Sequence, residues 1–203
     1  MSACPEPILF DFDGVLADTE PLHWEAWNEA LATIGVQVEW ERYRRDFIGI
    51  PEREFVEALA KGLKPPRAAD EVIGLYKLKN LAFRRRSANG GLVSQNVIER
   101  MKSLQNRKLG VVTSSSRSEI EAILLADGVL PLLAAVVYGE DVSNLKPHPE
   151  PYRLALERMG VPTALVFEDS DAGAESATAA GCTVVRVGCA TELPELLAFY
   201  AGD

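Results

Sequence analysis

Cysteine, basic charge and long apolar runs are all scarce in this sequence, and each shortage excludes a class of protein. The three cysteines, Cys4, Cys182 and Cys189, are odd in number and match neither a zinc site nor a disulfide framework. Lys and Arg number 21 against 30 Asp and Glu, and this net charge of −9 argues against a nucleic-acid partner. Apolar runs such as 129–138 are too short to cross a bilayer, so we expect no membrane partner.

The composition that remains is ordinary for a globular protein. Hydrophobic residues make up 47% and charged residues 25% of the 203 positions, which fits one well-cored domain with a modest insertion. The first residues show no basic start followed by an apolar stretch, so no secretory signal is expected. We therefore expect a cytoplasmic protein, with a monomer as its default state.

Short apolar runs alternate with helical patterns over most of the chain. The runs predict five strands, at 8–10, 109–112, 135–138, 164–167 and 182–187. Apolar residues at helical spacing fill the intervals between the last four runs. This alternation predicts an α/β fold with a doubly wound parallel sheet. Active sites in such sheets form at the carboxyl ends of the strands.

One region interrupts the alternation. Between Thr19 and Ser87 no strand-like run stands out, and the pattern predicts amphipathic helices at 22–34, 40–47, 53–60 and 69–83. We therefore predict a core domain of residues 1–17 and 88–203 and an inserted helical cap of residues 18–87. The junctions lie near Ala17-Asp18 and Gly90-Gly91, and we expect the cap to open and close about them.

Acidic residues follow the first and fourth predicted strands. Asp11 and Asp13 are two apart, and Gly14 lets the chain turn and bring backbone N–H groups toward an anion. Turn formation alone is the alternative explanation for this pair. Glu168 and Asp169 end another strand, where capping of the next helix is the alternative. Together the two pairs offer the hard oxygen ligands that Mg²⁺ prefers.

Two further segments carry groups that suit a phosphate. Thr113-Ser-Ser-Ser116 offers hydroxyl and N–H donors at a strand end, with helix capping as the alternative role. Lys146 lies in a loop that three prolines stiffen, although a solvated lysine is the alternative. With the acidic pairs, these segments predict a phosphoryl-transfer site. There Asp11 would be the carboxylate nucleophile and Asp13 the proton-transferring acid.

Taken together, these segments resemble the four motifs of the haloacid dehalogenase superfamily. They occur in the family's order and spacing across nearly the whole chain, which makes the combination specific. The matching segments are 11–19 for the first motif, Thr113 or Ser114 for the second, Lys146-Pro147 for the third and 168–173 for the fourth. The helical insertion resembles the small cap of the beta-phosphoglucomutase-like subgroup, which includes many sugar-phosphate phosphatases.

The resemblance implies a role for each matched residue. Asp11 would be the nucleophile, and Asp13 the general acid/base that also gives its backbone carbonyl to the metal. Thr113 would bind the phosphoryl group, with Ser114 as the alternative one residue later. Lys146 would neutralise charge between the phosphate and Asp11. The implied Mg²⁺ site consists of Asp11, Asp13, Glu168 and Asp169.

Within the cap, the resemblance is closer at some positions than at others. His23 and Lys79-Asn80 look like positions that beta-phosphoglucomutase uses for its substrate and for cap closure, so His23 and Lys79 are candidate substrate-binding residues. A helix-surface role is the alternative for His23. Near residues 49–51 the mutase has an arginine directed at the second phosphate, whereas this sequence has Glu52, with Arg53 next to it. This departure weakens the mutase interpretation.

Four functions remain open. The leading one is a Mg²⁺-dependent phosphatase whose substrate is a small phosphorylated metabolite, in particular a sugar phosphate. A phosphomutase shares every core residue and differs in whether its cap excludes water and grips a bisphosphate. A phospho-accepting receiver module also has a strand-end Asp, an acidic cluster and a Lys, but it is shorter and lacks the insertion. An inactive relative is disfavoured because every core position is filled.

Overall fold

The chain forms two compact units, which we call the core unit and the cap unit. A computed structural model describes residues 6–48, 52–63, 65–104 and 106–202. The core unit comprises Met1–Asp18 and Asn89–Asp203, and the cap unit comprises Thr19–Ala88. The chain therefore passes from one unit to the other between residues 18 and 19 and again between residues 88 and 89. The boundaries predicted from the sequence lie one residue earlier at both points.

The core unit is built on a five-stranded parallel sheet. The strands are β1 (Ile8–Phe10), β2 (Leu109–Val112), β3 (Ala135–Val137), β4 (Leu165–Glu168) and β5 (Thr183–Arg186). Their order in the sheet is β3-β2-β1-β4-β5, and all neighbours pair in parallel. The chain thus builds outward from β1 in one direction and then returns to build in the other. This topology confirms the predicted doubly wound α/β fold.

Helices pack against the sheet, and its three inner strands are buried. Every residue of β1, β2 and β4 is buried, as expected for strands with both faces covered. The helices of the core unit are α6 (Gln95–Ser103), α7 (Arg117–Ala126), α8 (Glu150–Met159), α9 (Asp171–Ala179) and α10 (Leu193–Ala201). Across the described parts of the chain, no helix has both the length and the apolar character needed to span a bilayer.

Among its described residues, the cap unit contains five helices, which surround an aromatic core. They are α1 (Glu20–Ala32), α2 (Trp40–Asp46), α3 (Glu52–Gly62), α4 (Ala69–Gly74) and α5 (Tyr76–Ser87). Trp27 of α1 packs against Phe55 and Tyr76, at centroid distances of 4.9 and 5.1 Å. Arg85 and Arg86 of α5 both pair with Glu29 of α1. Aromatic packing and these ion pairs therefore join α1 to the later cap helices.

The structure divides one predicted helix of the cap in two. The pattern over 69–83 predicted a single helix, but α4 ends at Gly74 and α5 begins at Tyr76. Glycine is a poor helix former, and the N–H of Leu75 bonds to the carbonyl of Val72, three residues back, as in a tightened final turn. Leu75 is itself buried in the cap core. The break between α4 and α5 therefore leaves that apolar residue buried.

One sequence feature falls outside the described residues. Residues 49–51 and the side chains of Glu52 and Arg53 carried the comparison with the mutase's phosphate-binding arginine. That comparison therefore stays a prediction.

The segment where the chain re-enters the core unit yields a stability prediction. The Asp127 carboxylate accepts hydrogen bonds from the backbone N–H groups of Gly91, Leu92 and Val93. We expect Asp127→Ala to lower the free energy of unfolding by about 2 kcal/mol, because three backbone donors lose a charged acceptor. Urea denaturation measures this change. Glu175→Ala, at an exposed position of α9, is the control and should stay within about 0.5 kcal/mol of wild type. Equal losses in both variants would contradict this account.

Candidate active site

The centre of the site is an ion pair at the carboxyl end of β1. Asp11 directly follows the strand, and its N–H bonds to the carbonyl of Phe167 on β4, 2.9 Å away. Its side chain is buried, and Oδ1 accepts a hydrogen bond of 2.6 Å from the Nζ of Lys146. The contact joins residues 135 positions apart, so the fold, and not local sequence, creates it.

The loop before α8 fixes the position of Lys146. The carboxylate of Glu150 accepts bonds from the N–H groups of Ser143 and Asn144, and the Ser176 hydroxyl bonds to the His148 carbonyl at 2.6 Å. Within this braced loop, the Lys146 side chain is only 6% exposed. Burial alone would lower the pKa of Lys146, but the carboxylates of Asp11 and then Glu168 raise it above its ordinary value. The ammonium group therefore stays charged.

Three carboxylates meet around this ammonium group. Asp11, Glu168 and Asp169 each offer one oxygen, and these oxygens all lie within 4.8 Å of one another. Burial, followed by repulsion from Asp11, raises the pKa of Glu168 to about 7. The same two causes raise the pKa of Asp169. The fold therefore holds these carboxylates close enough to repel one another, which disfavours the ionised forms of Glu168 and Asp169.

Two glycines make this crowding possible. A Cβ atom at Gly14 would lie 2.1 Å from the Oδ2 of Asp169, and one at Gly173 would lie 1.5 Å from the Oε1 of Glu168. Neither approach leaves room for a side chain. Gly14 also has a φ of +78°, in the left-handed region that glycine adopts readily. Gly14 of the first motif is thus needed both for the turn after β1 and for the close approach of Asp169 in the fourth motif.

Two further residues hold Glu168: Ser170, which belongs to the fourth matched motif, and Tyr152, which was not among the candidate site residues. The Ser170 hydroxyl donates to Oε1 at 2.6 Å and also caps α9 by accepting the N–H of Gly173. The fully buried hydroxyl of Tyr152 donates to Oε2 at 3.5 Å. In the sequence, Tyr152 is simply one apolar position of α8. No signal there reveals its contact with the site.

The hydroxyl-rich segment after β2 divides into distinct environments. Thr113 is buried, and its Oγ1 accepts the N–H of Ser115 at 3.0 Å, whereas Ser114 is exposed. The hydroxyl of Ser115 donates to the Oδ2 of Asp13 at 2.8 Å. The carboxylate of Asp13 is therefore engaged by this segment and is not one of the three clustered carboxylates. The sequence showed only that hydroxyls gather here.

The donor set fits a hard divalent cation. It consists of carboxylate oxygens, which Mg²⁺ prefers to nitrogen or sulfur. Burial raises the pKa values of Glu168 and Asp169, and repulsion from Asp11 raises them further; a cation at this point would offset that repulsion. Asp11, Glu168 and Asp169 are the residues that would hold it.

The cap unit contains the other two candidate residues. The ring of His23 stacks on Phe83 with centroids 4.4 Å apart, and burial followed by repulsion from Lys79 lowers its pKa to about 3. The imidazole is therefore neutral at physiological pH. The Lys79 side chain is buried, and its Nζ lies 5.2 Å from the centre of the Phe83 ring. Phe83 thus joins the two candidates into one cluster.

Comparison with known proteins identifies the class of enzyme. A family model of haloacid dehalogenase-like hydrolases matches residues 8–187. The chain therefore belongs to the haloacid dehalogenase-like hydrolase family and is a phosphohydrolase of that class. Because the family is one of hydrolases, the comparison favours an enzyme over the phospho-accepting receiver module.

Individual relatives place the chain within the family. A phosphorylated carbohydrates phosphatase of Thermotoga maritima is 32% identical over 87% of this chain and 82% of its own. The fructose-1-phosphate phosphatase YqaB of Escherichia coli is 33% identical over 89% of this chain and 95% of its own. A structure of mutant CbbY from Rhodobacter sphaeroides with xylulose-(1,5)bisphosphate matches at a TM-score of 0.71 and 29% identity. The match covers 90% of this chain and 86% of the CbbY chain. The resemblance to the beta-phosphoglucomutase-like subgroup with a small helical cap is thus confirmed.

The raised pKa of Glu168 predicts how stability depends on pH. A carboxyl group whose pKa is about 7 when folded and 4.5 ordinarily stabilises the fold fully below about pH 4.5, and this contribution is lost as the pH rises through 7. In EDTA we therefore expect the free energy of unfolding to fall between these values. In Glu168→Gln the free energy of unfolding should depend much less on pH over this range, as measured by urea denaturation at several pH values.

Added Mg²⁺ provides the complementary test. Because a metal ligand must be deprotonated, Mg²⁺ should raise the melting temperature more at pH 8 than at pH 5. A flat profile in EDTA, or equal shifts at both pH values, would show that the clustered carboxylates do not interact as described.

Proposed function

We propose that this protein is a Mg²⁺-dependent phosphatase of small sugar phosphates, acting through an aspartyl-phosphate on Asp11. The observation that carries the proposal is the 2.6 Å contact between Lys146 and Asp11, inside a cluster of carboxylates at the carboxyl edge of the sheet. A buried carboxylate held against a fixed ammonium group is oriented for attack while its charge is balanced.

In the first step, an oxygen of Asp11 attacks phosphorus and the bond to the sugar oxygen breaks. Lys146 balances negative charge shared between Asp11 and the phosphoryl oxygens. Thr113 binds a phosphoryl oxygen through its hydroxyl, whose oxygen already accepts the N–H of Ser115. Asp13 gives its proton to the departing sugar oxygen.

In the second step, water hydrolyses the aspartyl-phosphate. Asp13, now deprotonated, takes a proton from the water as it attacks phosphorus, and phosphate leaves with Asp11 regenerated. Asp11, Glu168, Asp169 and the backbone carbonyl of Asp13 would hold Mg²⁺, which would supply positive charge beside the transferring group when bound.

Sugar phosphates are the favoured substrate class. Two of the relatives are named for phosphorylated carbohydrates and for fructose 1-phosphate, and a third holds a sugar bisphosphate. Neutral His23 and charged Lys79 of the cap unit are the candidate contacts to the sugar, because one can exchange hydrogen bonds with hydroxyls and the other can attract an anion. The proposal also includes the cytoplasm as the location and a monomer as the default state.

The direct test is phosphate release from a panel of sugar phosphates, including fructose 1-phosphate and beta-glucose 1-phosphate. We expect turnover with Mg²⁺ but not with EDTA. Asp11→Asn should reduce kcat by at least about 10³-fold, because an amide cannot form the phosphoenzyme. Exposed Asp70→Asn, on α4, is the matched control and should retain full activity.

The same panel separates hydrolysis from isomerisation. Beta-glucose 1-phosphate is assayed for glucose 6-phosphate as well as for free phosphate. Isomer without free phosphate would replace the phosphatase with a phosphomutase. A folded protein that binds Mg²⁺ and turns over nothing would refute both.

A further inference from the structure

A hydrogen bond joins the proposed acid/base to a serine that the proposed mechanism leaves unused. The hydroxyl of Ser115 donates to the Oδ2 of Asp13 at 2.8 Å, across 102 residues of sequence. Asp13 lies just beyond β1 and Ser115 just beyond β2, and these strands are neighbours in the sheet. The bond therefore connects the loops that follow two adjacent strands.

Ser115 is itself fixed by two backbone bonds. Its N–H donates to the Oγ1 of Thr113 at 3.0 Å, and its carbonyl accepts the N–H of Gly139 at 3.0 Å. Gly139 follows β3, the next strand of the sheet. The ends of three consecutive strands thus determine where the Ser115 hydroxyl lies. Such anchoring lets a hydroxyl orient a partner without paying for its own ordering at each turnover.

The number of protons on a hydroxyl limits what Ser115 can do. A serine hydroxyl carries one donor proton, and here that proton is directed at Asp13. While the bond persists, the same hydroxyl cannot also donate to a phosphate oxygen. Ser115 therefore differs from Thr113, to which the mechanism assigns a phosphoryl contact.

We propose that Ser115 is a positioning residue for the acid/base, holding the Asp13 carboxylate in the orientation that proton transfer to the leaving oxygen requires. This inference rests on the proposed function, because the acid/base role of Asp13 belongs to it. Proton transfer is sensitive to placement, and a misaligned acid loses its contribution without weakening the binding of phosphate.

The leaving group distinguishes positioning from phosphate binding. A sugar hydroxyl is a poor leaving group that needs a proton as its bond to phosphorus breaks, whereas p-nitrophenolate leaves readily without one. A residue that acts through Asp13 therefore affects sugar-phosphate hydrolysis selectively. A phosphate ligand affects both substrates alike.

The experiment compares Ser115→Ala with wild type on two substrates: p-nitrophenyl phosphate and whichever sugar phosphate of the panel wild type hydrolyses fastest. We expect kcat to fall about 10- to 100-fold on the sugar phosphate and no more than about threefold on p-nitrophenyl phosphate. The KM values and the inhibition constant of inorganic phosphate should change less than about twofold. Ser115→Thr, which keeps a hydroxyl, should restore most of the loss.

Two further variants control for folding and for local effects. Ser118→Ala removes a hydroxyl on α7 that contacts Ser116, and it should behave as wild type on both substrates. If Ser115→Ala melts below the assay temperature, Ser115→Cys replaces it, because a thiol is similar in size to a hydroxyl but is a weaker donor. We expect kcat on the sugar phosphate to fall selectively in this variant too, but by a smaller factor.

Other outcomes would overturn the inference. Equal losses on both substrates with weaker phosphate inhibition would make Ser115 a phosphate ligand, and wild-type kinetics in Ser115→Ala would leave it a structural residue. Wild type that hydrolyses neither substrate would instead refute the proposed function. The two failures are therefore distinguishable.

Discussion

Negative charge confined to one edge of a buried sheet is the constraint around which the core unit is arranged. Asp11, Glu168 and Asp169 bring oxygens within 4.8 Å of one another, and the ammonium group of Lys146 contacts two of the three. Burial, and then repulsion from the Asp11 carboxylate, raises the pKa of Glu168 to about 7. The same arrangement suits a divalent cation and the phosphate that such a cation binds.

Separate environments allow neighbouring carboxylates to take separate roles. The Asp11 carboxylate accepts a hydrogen bond from the ammonium group of Lys146 and belongs to the cluster of three carboxylates. Asp13, two residues later, is bound by a neutral hydroxyl on another loop. Enzymes commonly assign acid and nucleophile in this way, by giving two similar groups different partners. The parallel sheet makes the division possible because it brings loops from distant parts of the chain to one edge.

The sequence predicts the sheet and the meeting of strand ends better than it predicts individual contacts. Buried parallel strands read as continuous apolar runs, and acidic residues directly after them converge wherever the strands are neighbours. Asp11, Glu168 and Asp169 do converge, although their roles stay predictions. The bond from Ser115 to Asp13 could not be foreseen, because it depends on the register of loops 102 residues apart. The division between α4 and α5 was missed because a single glycine does not interrupt an apolar pattern.

Chemical trapping of the phosphoenzyme tests the central claim most directly. A single turnover with substrate labelled in its phosphoryl group would be quenched in acid, reduced with borohydride and mapped by mass spectrometry. We predict transient label on the protein and, after reduction, homoserine at position 11, because borohydride reduces an acyl phosphate to the alcohol. Phosphate release with no labelled protein at any time, or label at another residue, would contradict the account.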